Sequence, residues 1–129
     1  MSIYIDADAF IRWEKGEFDL PTWLSAQGNE TMAIPATIWQ QILFGAFAWN
    51  PERAAKRSRF LAAIRHLPIV PFSRAHAERA AELAADLRLA QIGFADFQIA
   101  ATALEDRAKL LTFNIEHFRR VVGLQLADI

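Results

Sequence analysis

Five oxygen-bearing side chains punctuate three apolar stretches of this sequence: Asp6 and Asp8, Asp96, and Thr112 with Asn114. Carboxylates brought together raise each other's pKa unless positive charge sits among them. A hard cation such as Mg2+ takes oxygen ligands of this kind, often one or two carboxylates plus waters. Such an ion can orient a phosphodiester, stabilise charge on it and activate a water. Asp6, Asp96 and Asn114, with Asp8 close by, could supply that site. Each also has a plainer use. Asp8 suits the N-cap of a first helix. Asp96 is favoured near a helix N-terminus by the dipole, and Asn114 suits a turn. Only Asp6, closing an apolar strand, has no easy structural role.

The elements that must position these residues follow from periodicity and punctuation. Strands are predicted at residues 2–6, 31–34, 69–72, 109–113 and 123–127. Pro71 puts the third at an edge or near its end. Helices are predicted at residues 7–14, 20–26, 37–49, 51–66, 74–89 and 96–107. Asp19, Asn50 and Ser73 serve as N-caps, with Pro21 and Pro51 in first turns. The stripe Ala80, Leu83, Ala84 and Leu87 marks the buried face of the helix after Ser73. Strands alternating with helices long enough for crossovers predict a three-layer α/β/α sandwich with a mostly parallel, about five-stranded sheet. Ligands in such sheets bind outside the carboxyl ends of the strands. Asp6 and Asp8, Asp96, and Thr112 with Asn114 should meet there.

Bulk properties narrow the classes. The 129 residues suit one domain spanning 1–129. A hydrophobic fraction of 53% against 22% charged excludes a disordered chain. No cysteine is present, which excludes disulfides, thiolate catalysis and Cys-ligated zinc. The start lacks a secretory pattern, and the apolar run 42–49 is far short of the roughly 20 residues of a membrane span. A cytoplasmic protein without a membrane partner is therefore expected. Net charge is −1, so no overall basic field announces nucleic acid. Arg53, Lys56, Arg57, Arg59 and Arg65 do crowd one segment; they read equally as a phosphate-contacting stripe and as a solvated helix face. Most of the Trp and Phe residues read as core or interface rather than base-stacking platforms. Phe44, Phe47 and Trp49 give one helix an apolar surface too wide for one core, so part of it should be buried against a partner. His117 reads as structural, and His66 and His76 lack ligand spacing. Arg12, Arg88, Arg119 and Arg120 are candidates for a partner's carboxylate or for RNA phosphates.

Three stretches resemble the PIN domain family, and its VapC-type toxins in particular. Ile3-Tyr4-Ile5-Asp6-Ala7-Asp8-Ala9-Phe10 is similar to the family's apolar strand, metal-site Asp and following small and polar residues. Ile92-Gly93-Phe94-Ala95-Asp96-Phe97-Gln98-Ile99-Ala100-Ala101-Thr102-Ala103-Leu104 resembles its I-G-x-x-D-x-x-I-A-A-x-A-L signature nearly residue for residue. Leu110-Leu111-Thr112-Phe113-Asn114-Ile115-Glu116-His117-Phe118, then Val122-Gly123-Leu124, resembles its closing pattern. The resemblance spans the chain in order and spacing. It implies Mg2+- or Mn2+-dependent cleavage of an RNA substrate, homodimerisation, and inhibition by a cognate VapB-like antitoxin. By position it makes Asp6 and Asp96 metal ligands, puts Asn114 in the fourth site position, and gives Asp8 and Thr112 supporting roles.

One motif departs. The family's E-L-x-x-G aligns with Gln41-Ile42-Leu43-Phe44-Gly45, and no carboxylate occurs between Thr31 and Pro51. Gln keeps a carbonyl oxygen, loses a negative charge and adds an amide NH2. The metal should bind more weakly, with any base or water-orienting role of the Glu gone. Gln41 is then an engineered silencing change, the mark of a natural pseudo-enzyme, or a tolerated loss in a weaker nuclease. Two alternatives stand beside a toxin-type endoribonuclease. One is a non-catalytic PIN-like module that binds RNA or protein, for which Gln41 argues. The other is a phosphatase of the haloacid dehalogenase type, using Asp6 of Asp6-Ala7-Asp8 as nucleophile; the absence of a clear later Lys and paired-acid motif counts against it.

Overall fold

The computed structural model describes residues 2–46 and 51–129. Among them, five strands form one sheet in the order β3-β2-β1-β4-β5, and each neighbouring pair is parallel. The strands are β1 (Ser2–Ile5), β2 (Thr31–Pro35), β3 (Ile69–Val70), β4 (Lys109–Leu111) and β5 (Gln125–Leu126). Helices α1 (Ala7–Glu14), α2 (Leu20–Ser25), α3 (Ala36–Ala46), α4 (Pro51–Ile64), α5 (Arg74–Ala84), α6 (Phe94–Glu105) and α7 (Ile115–Phe118) connect and flank them. The expected three-layer α/β/α sandwich with a parallel sheet is borne out.

β1 is the middle strand, and Ile3, Tyr4 and Ile5 are all buried, as an apolar run covered on both faces requires. Ile3 pairs with Met32 on one side and Lys109 on the other. Phe10, Leu20, Ile38, Leu110 and Phe118 are completely buried around it, each contributing about 1.5–3 kcal/mol by burial. Trp13 is wedged edge-on between Phe10 and Phe60, so it is core and not a base-stacking surface. The strand order reverses direction between β1 and β4. That switch point opens a crevice beyond their carboxyl ends, the place where such sheets bind ligands. The backbone N–H of Asp6 donates to Leu111 O at 2.9 Å, tying the two strand ends together just there.

Several expectations are corrected. β2 runs one residue past its predicted end, to Pro35, and the other four strands are shorter than predicted; beyond β1 and β4 the chain turns into a cap and site groups, Asp6 and Thr112. β3 does lie at an edge, as Pro71 required. The helix after Ser73 stops at Ala84, and Asp86 caps a separate 3-10 turn, Leu87–Leu89. Leu87 leaves the expected stripe and is 88% exposed, Ala84 is exposed too, and Ala80 and Leu83 are the pair that packs on the core. Of the basic segment, Arg53, Lys56, Arg59 and Arg65 are exposed, but Arg57 is 4% exposed. Its guanidinium donates twice to the Glu14 carboxylate and once to Ile42 O, so it is a core ion pair and no phosphate ligand. α7 was not foreseen; its single turn is too short for periodicity to reveal. Phe47, Trp49 and the Asn50 cap lie outside the described residues.

Candidate metal centre

Asp6 is the N-cap of α1. Its Oδ1 accepts from Ala7 N at 2.8 Å, and its Oδ2 accepts from the Thr112 hydroxyl at 2.8 Å. The capping role expected of Asp8 therefore belongs to Asp6, which does have a structural use. The reason is local: β1 ends at Ile5, so the first residue able to turn the chain is Asp6. Asp8, in the first turn of α1, reaches across to the loop after β4. Its Oδ2 accepts from Phe113 N at 3.0 Å and lies 3.1 Å from Thr112 Oγ1. Thr112 Oγ1 in turn accepts from Asn114 N at 3.0 Å.

A proton count shows that this cluster is underfilled. The Thr112 hydroxyl has one hydrogen and faces two carboxylate oxygens. Asp8 Oδ1 is buried and takes no hydrogen bond. Among the described residues, no Lys or Arg pairs with Asp6 or Asp8. Burial, the nearby Asp8 and the charge of Asp96 push the Asp6 carboxyl up to about 7, against the pull of Thr112 and Ala7 N–H. Burial also raises Asp8. A buried, unneutralised carboxylate pair with an orphaned oxygen is costly to the fold.

Asp96 sits in the first turn of α6, as expected, on the side that faces this cluster electrostatically. Asn114 occupies the N-cap position of α7 but makes no cap bond. Its Nδ2 lies 3.0 Å from His117 Nδ1, which is itself 3.4 Å from Asp96 Oδ2. His117 thus belongs to the site, a place the sequence reading did not give it. The spacing of Asn114 and His117, three apart at a helix start, is the signal that could have found it. Gln41 lies on an exposed face of α3, and the described hydrogen bonds do not link it to the acids.

Among the described residues, no three His, Asp or Glu side chains already converge tightly enough to cage an ion. The three aspartates nonetheless offer oxygen donors, and Asp6 and Asp8 share a single hydroxyl proton. That chemistry fits a hard cation held by one or two carboxylates that keeps its own waters. Residues 3–124 match the PIN domain family. The chain belongs to the PIN domain family. A full-length relative, 30% identical and covering 100% of this chain and 97% of its own length, is Ribonuclease VapC1 of Rickettsia felis. The expected likeness to VapC-type members is therefore borne out. In shape, this PIN domain is similar to a chain of VapBC2 from Rickettsia felis bound to a promoter DNA fragment. The TM-score is 0.85 at 22% identity, over 100% of this chain and 99% of that one. It is also similar to a chain of VapBC-1 from nontypeable Haemophilus influenzae, with TM-score 0.82 at 20% identity over 99% and 98%. This membership decides against the phosphatase alternative, to which Asp6-Ala7-Asp8 alone was open.

Proposed function

We propose that this PIN domain is an Mg2+- or Mn2+-dependent endoribonuclease of the VapC toxin type. The observation that carries the reading is the buried cluster of Asp6, Asp8 and Thr112, in which two carboxylates share one hydroxyl proton, Asp8 Oδ1 has no partner, and among the described residues no basic side chain pairs with them. Asp6 and Asp96 hold the ion, and Asn114 fills the fourth site position. When bound, the ion supplies charge stabilisation on the phosphodiester and lowers the cost of ionising the attacking water. Thr112 and Asp8 tie the β4 loop to the head of α1 and so fix where Asp6 stands. No covalent enzyme intermediate is required. Gln41 stands where the family has Glu and weakens the site by one charge.

The partners proposed are an RNA substrate, a cognate VapB-like antitoxin and a second copy of the chain, in the cytoplasm. The similarity to chains from VapBC complexes supports the antitoxin. Phe44, 83% exposed on α3, supports burial of that helix against a partner. Among the described residues, no helix is long and apolar enough to cross a membrane. Gln41 favours a second reading, a non-catalytic module that binds RNA without cutting it.

The test is cleavage of total RNA by this chain and its Gln41→Glu variant, with Mn2+ and with EDTA. Cleavage should require metal and be faster in Gln41→Glu. Adding Asp6→Asn or Asp96→Asn to that variant should cut the rate about 1,000-fold, the scale of a metal's several kcal/mol. If both folded chains leave RNA intact, catalysis is lost as a reading and the binding module replaces it.

A further inference from the structure

We propose that His117 is a positioning residue that selects which end of the Asn114 amide the site receives. An amide has two ends of opposite use to a hard cation: the carbonyl oxygen ligates it, and the NH2 group repels it. A half-turn about the last side-chain bond exchanges them. Something must hold the amide if Asn114 is to serve.

The geometry names the holder. Asn114 Nδ2 lies 3.0 Å from His117 Nδ1, a distance at which an amide N–H donates to a bare ring nitrogen. With the amide so placed, Nδ1 is the acceptor and the ring proton sits on Nε2, and the 3.4 Å approach of Nδ1 to Asp96 Oδ2 is then no hydrogen bond. The same contact fixes the amide, because the flipped form would set carbonyl oxygen against the same bare nitrogen. Asn114 Oδ1 takes no described hydrogen bond, whereas the Asn114 backbone N–H is used by Thr112 Oγ1. The oxygen is thus the end left for a ligand. The same Nδ1 is 3.4 Å from Asp96 Oδ2, so the held amide lies one ring atom away from the α6 carboxylate. The helix turn explains the pairing: residues three apart share a face, and completely buried Phe118 anchors the turn. The His117 side chain is 40% exposed, so the core does not depend on it.

This inference rests on the metal-site reading above, and its test separates the two. His117→Leu removes the acceptor. His117→Asn keeps a carbonyl oxygen near the position of Nδ1, and His117→Gln carries it too far out. In metal-free protein, the Asn114 side-chain NH2 resonances are followed by NMR; Mn2+ affinity is measured by electron paramagnetic resonance. In His117→Leu and His117→Gln the Asn114 amide should shift and exchange faster. Their Mn2+ affinity should fall about 10-fold or more, as on losing the partner of a metal ligand. His117→Asn should keep both properties, which also guards against a variant that fails to fold. Unchanged amide signals in His117→Leu overturn the inference. A released amide with undiminished Mn2+ binding overturns it too, while leaving the metal reading intact. If no chain, wild type included, binds Mn2+, the metal reading falls and this role falls with it.

Discussion

Two carboxylate networks lie toward opposite ends of the sheet, and they are finished to different degrees. Asp106 follows α6 and precedes β4. One of its oxygens accepts the Tyr4 hydroxyl at 2.6 Å, and the other is 2.8 Å from His76 Nε2. His76 Nδ1 accepts Ser73 N–H at 3.0 Å, so Nε2 carries the ring proton and donates to Asp106. Ser73 Oγ accepts His76 N–H and completes the capping box of α5. Each carboxylate oxygen has its donor without a lysine or arginine. At the carboxyl end, Asp6 and Asp8 share one hydroxyl proton, and Asp8 Oδ1 has none. The buried Glu14–Arg57 pair resembles the finished kind. Asp106 and Glu14 each have donors on both oxygens, whereas Asp8 at the switch point does not. The cluster left short at the sheet's switch point is the one able to take a ligand.

The largest expected effect comes from unfinishing a finished network. Arg57→Met takes both guanidinium bonds from Glu14, which is mostly buried, and should cost about 3–5 kcal/mol of stability. Urea unfolding measures it. Glu14→Leu combined with Arg57→Met should recover much of the loss, since a buried pair replaced by apolar side chains is often neutral. A double variant no more stable than Arg57→Met would mean that the two groups are not coupled.

The acidic site should behave the opposite way, with its carboxylate costing stability. Asp6 rises from 3.8 to about 7 in the fold. Between those values the folded chain holds a proton that the unfolded chain has released. The Asp6 contribution to stability is therefore most favourable below about pH 4, falls as pH rises toward 7, and levels off above it. The raised Asp8 acts in the same direction. In EDTA, the melting temperature at pH 8 should lie below that at pH 5, by roughly 4 °C for each kcal/mol lost. Asp6→Asn should flatten that slope and melt higher than wild type at pH 8. Equal slopes in the two proteins would show that Asp6 is not the strained group.

Much of this contrast was legible in the sequence, for reasons that can be named. Asp6, Asp8 and Thr112 were expected on one edge because parallel strands deliver their ends to the same side, and the structure joins all three by hydrogen bonds. Ser73 and Asp19 were readable as caps because capping is local. Long-range partners were not readable. Arg57 looked like one more exposed cation until α4 packed its face toward Glu14, 43 residues earlier. His76 looked idle because its partner Asp106 is 30 residues away. Asp6 rather than Asp8 caps α1 because β1 ends at Ile5 and the helix begins at Ala7, which leaves Asp6 alone in the N-cap position. Gln41 was read from a motif alignment, and its exposed place on α3 leaves its part in the chemistry to the cleavage assay.

The smallest effect asks whether Asp106 is as well supplied as its geometry says. Tyr4→Phe removes one donor and keeps the ring in the core. Burial and the neighbouring Asp106 both raise the Tyr4 hydroxyl's pKa, so it remains a donor throughout the neutral range. Asp106 keeps His76 on its other oxygen and is partly open to solvent, so water can replace the lost hydroxyl. The loss should be about 1.5 kcal/mol, the low end for a hydrogen bond to a charged group. Tyr4 lies on β1 and Asp6 caps α1 just past its end, so the variant also asks whether the two networks are independent. Metal-dependent RNA cleavage should stay within about twofold, because a shift worth a few tenths of a kcal/mol changes a rate no more than that. A large drop in cleavage, with stability barely altered, would mean that the closed network sets the position of the open one.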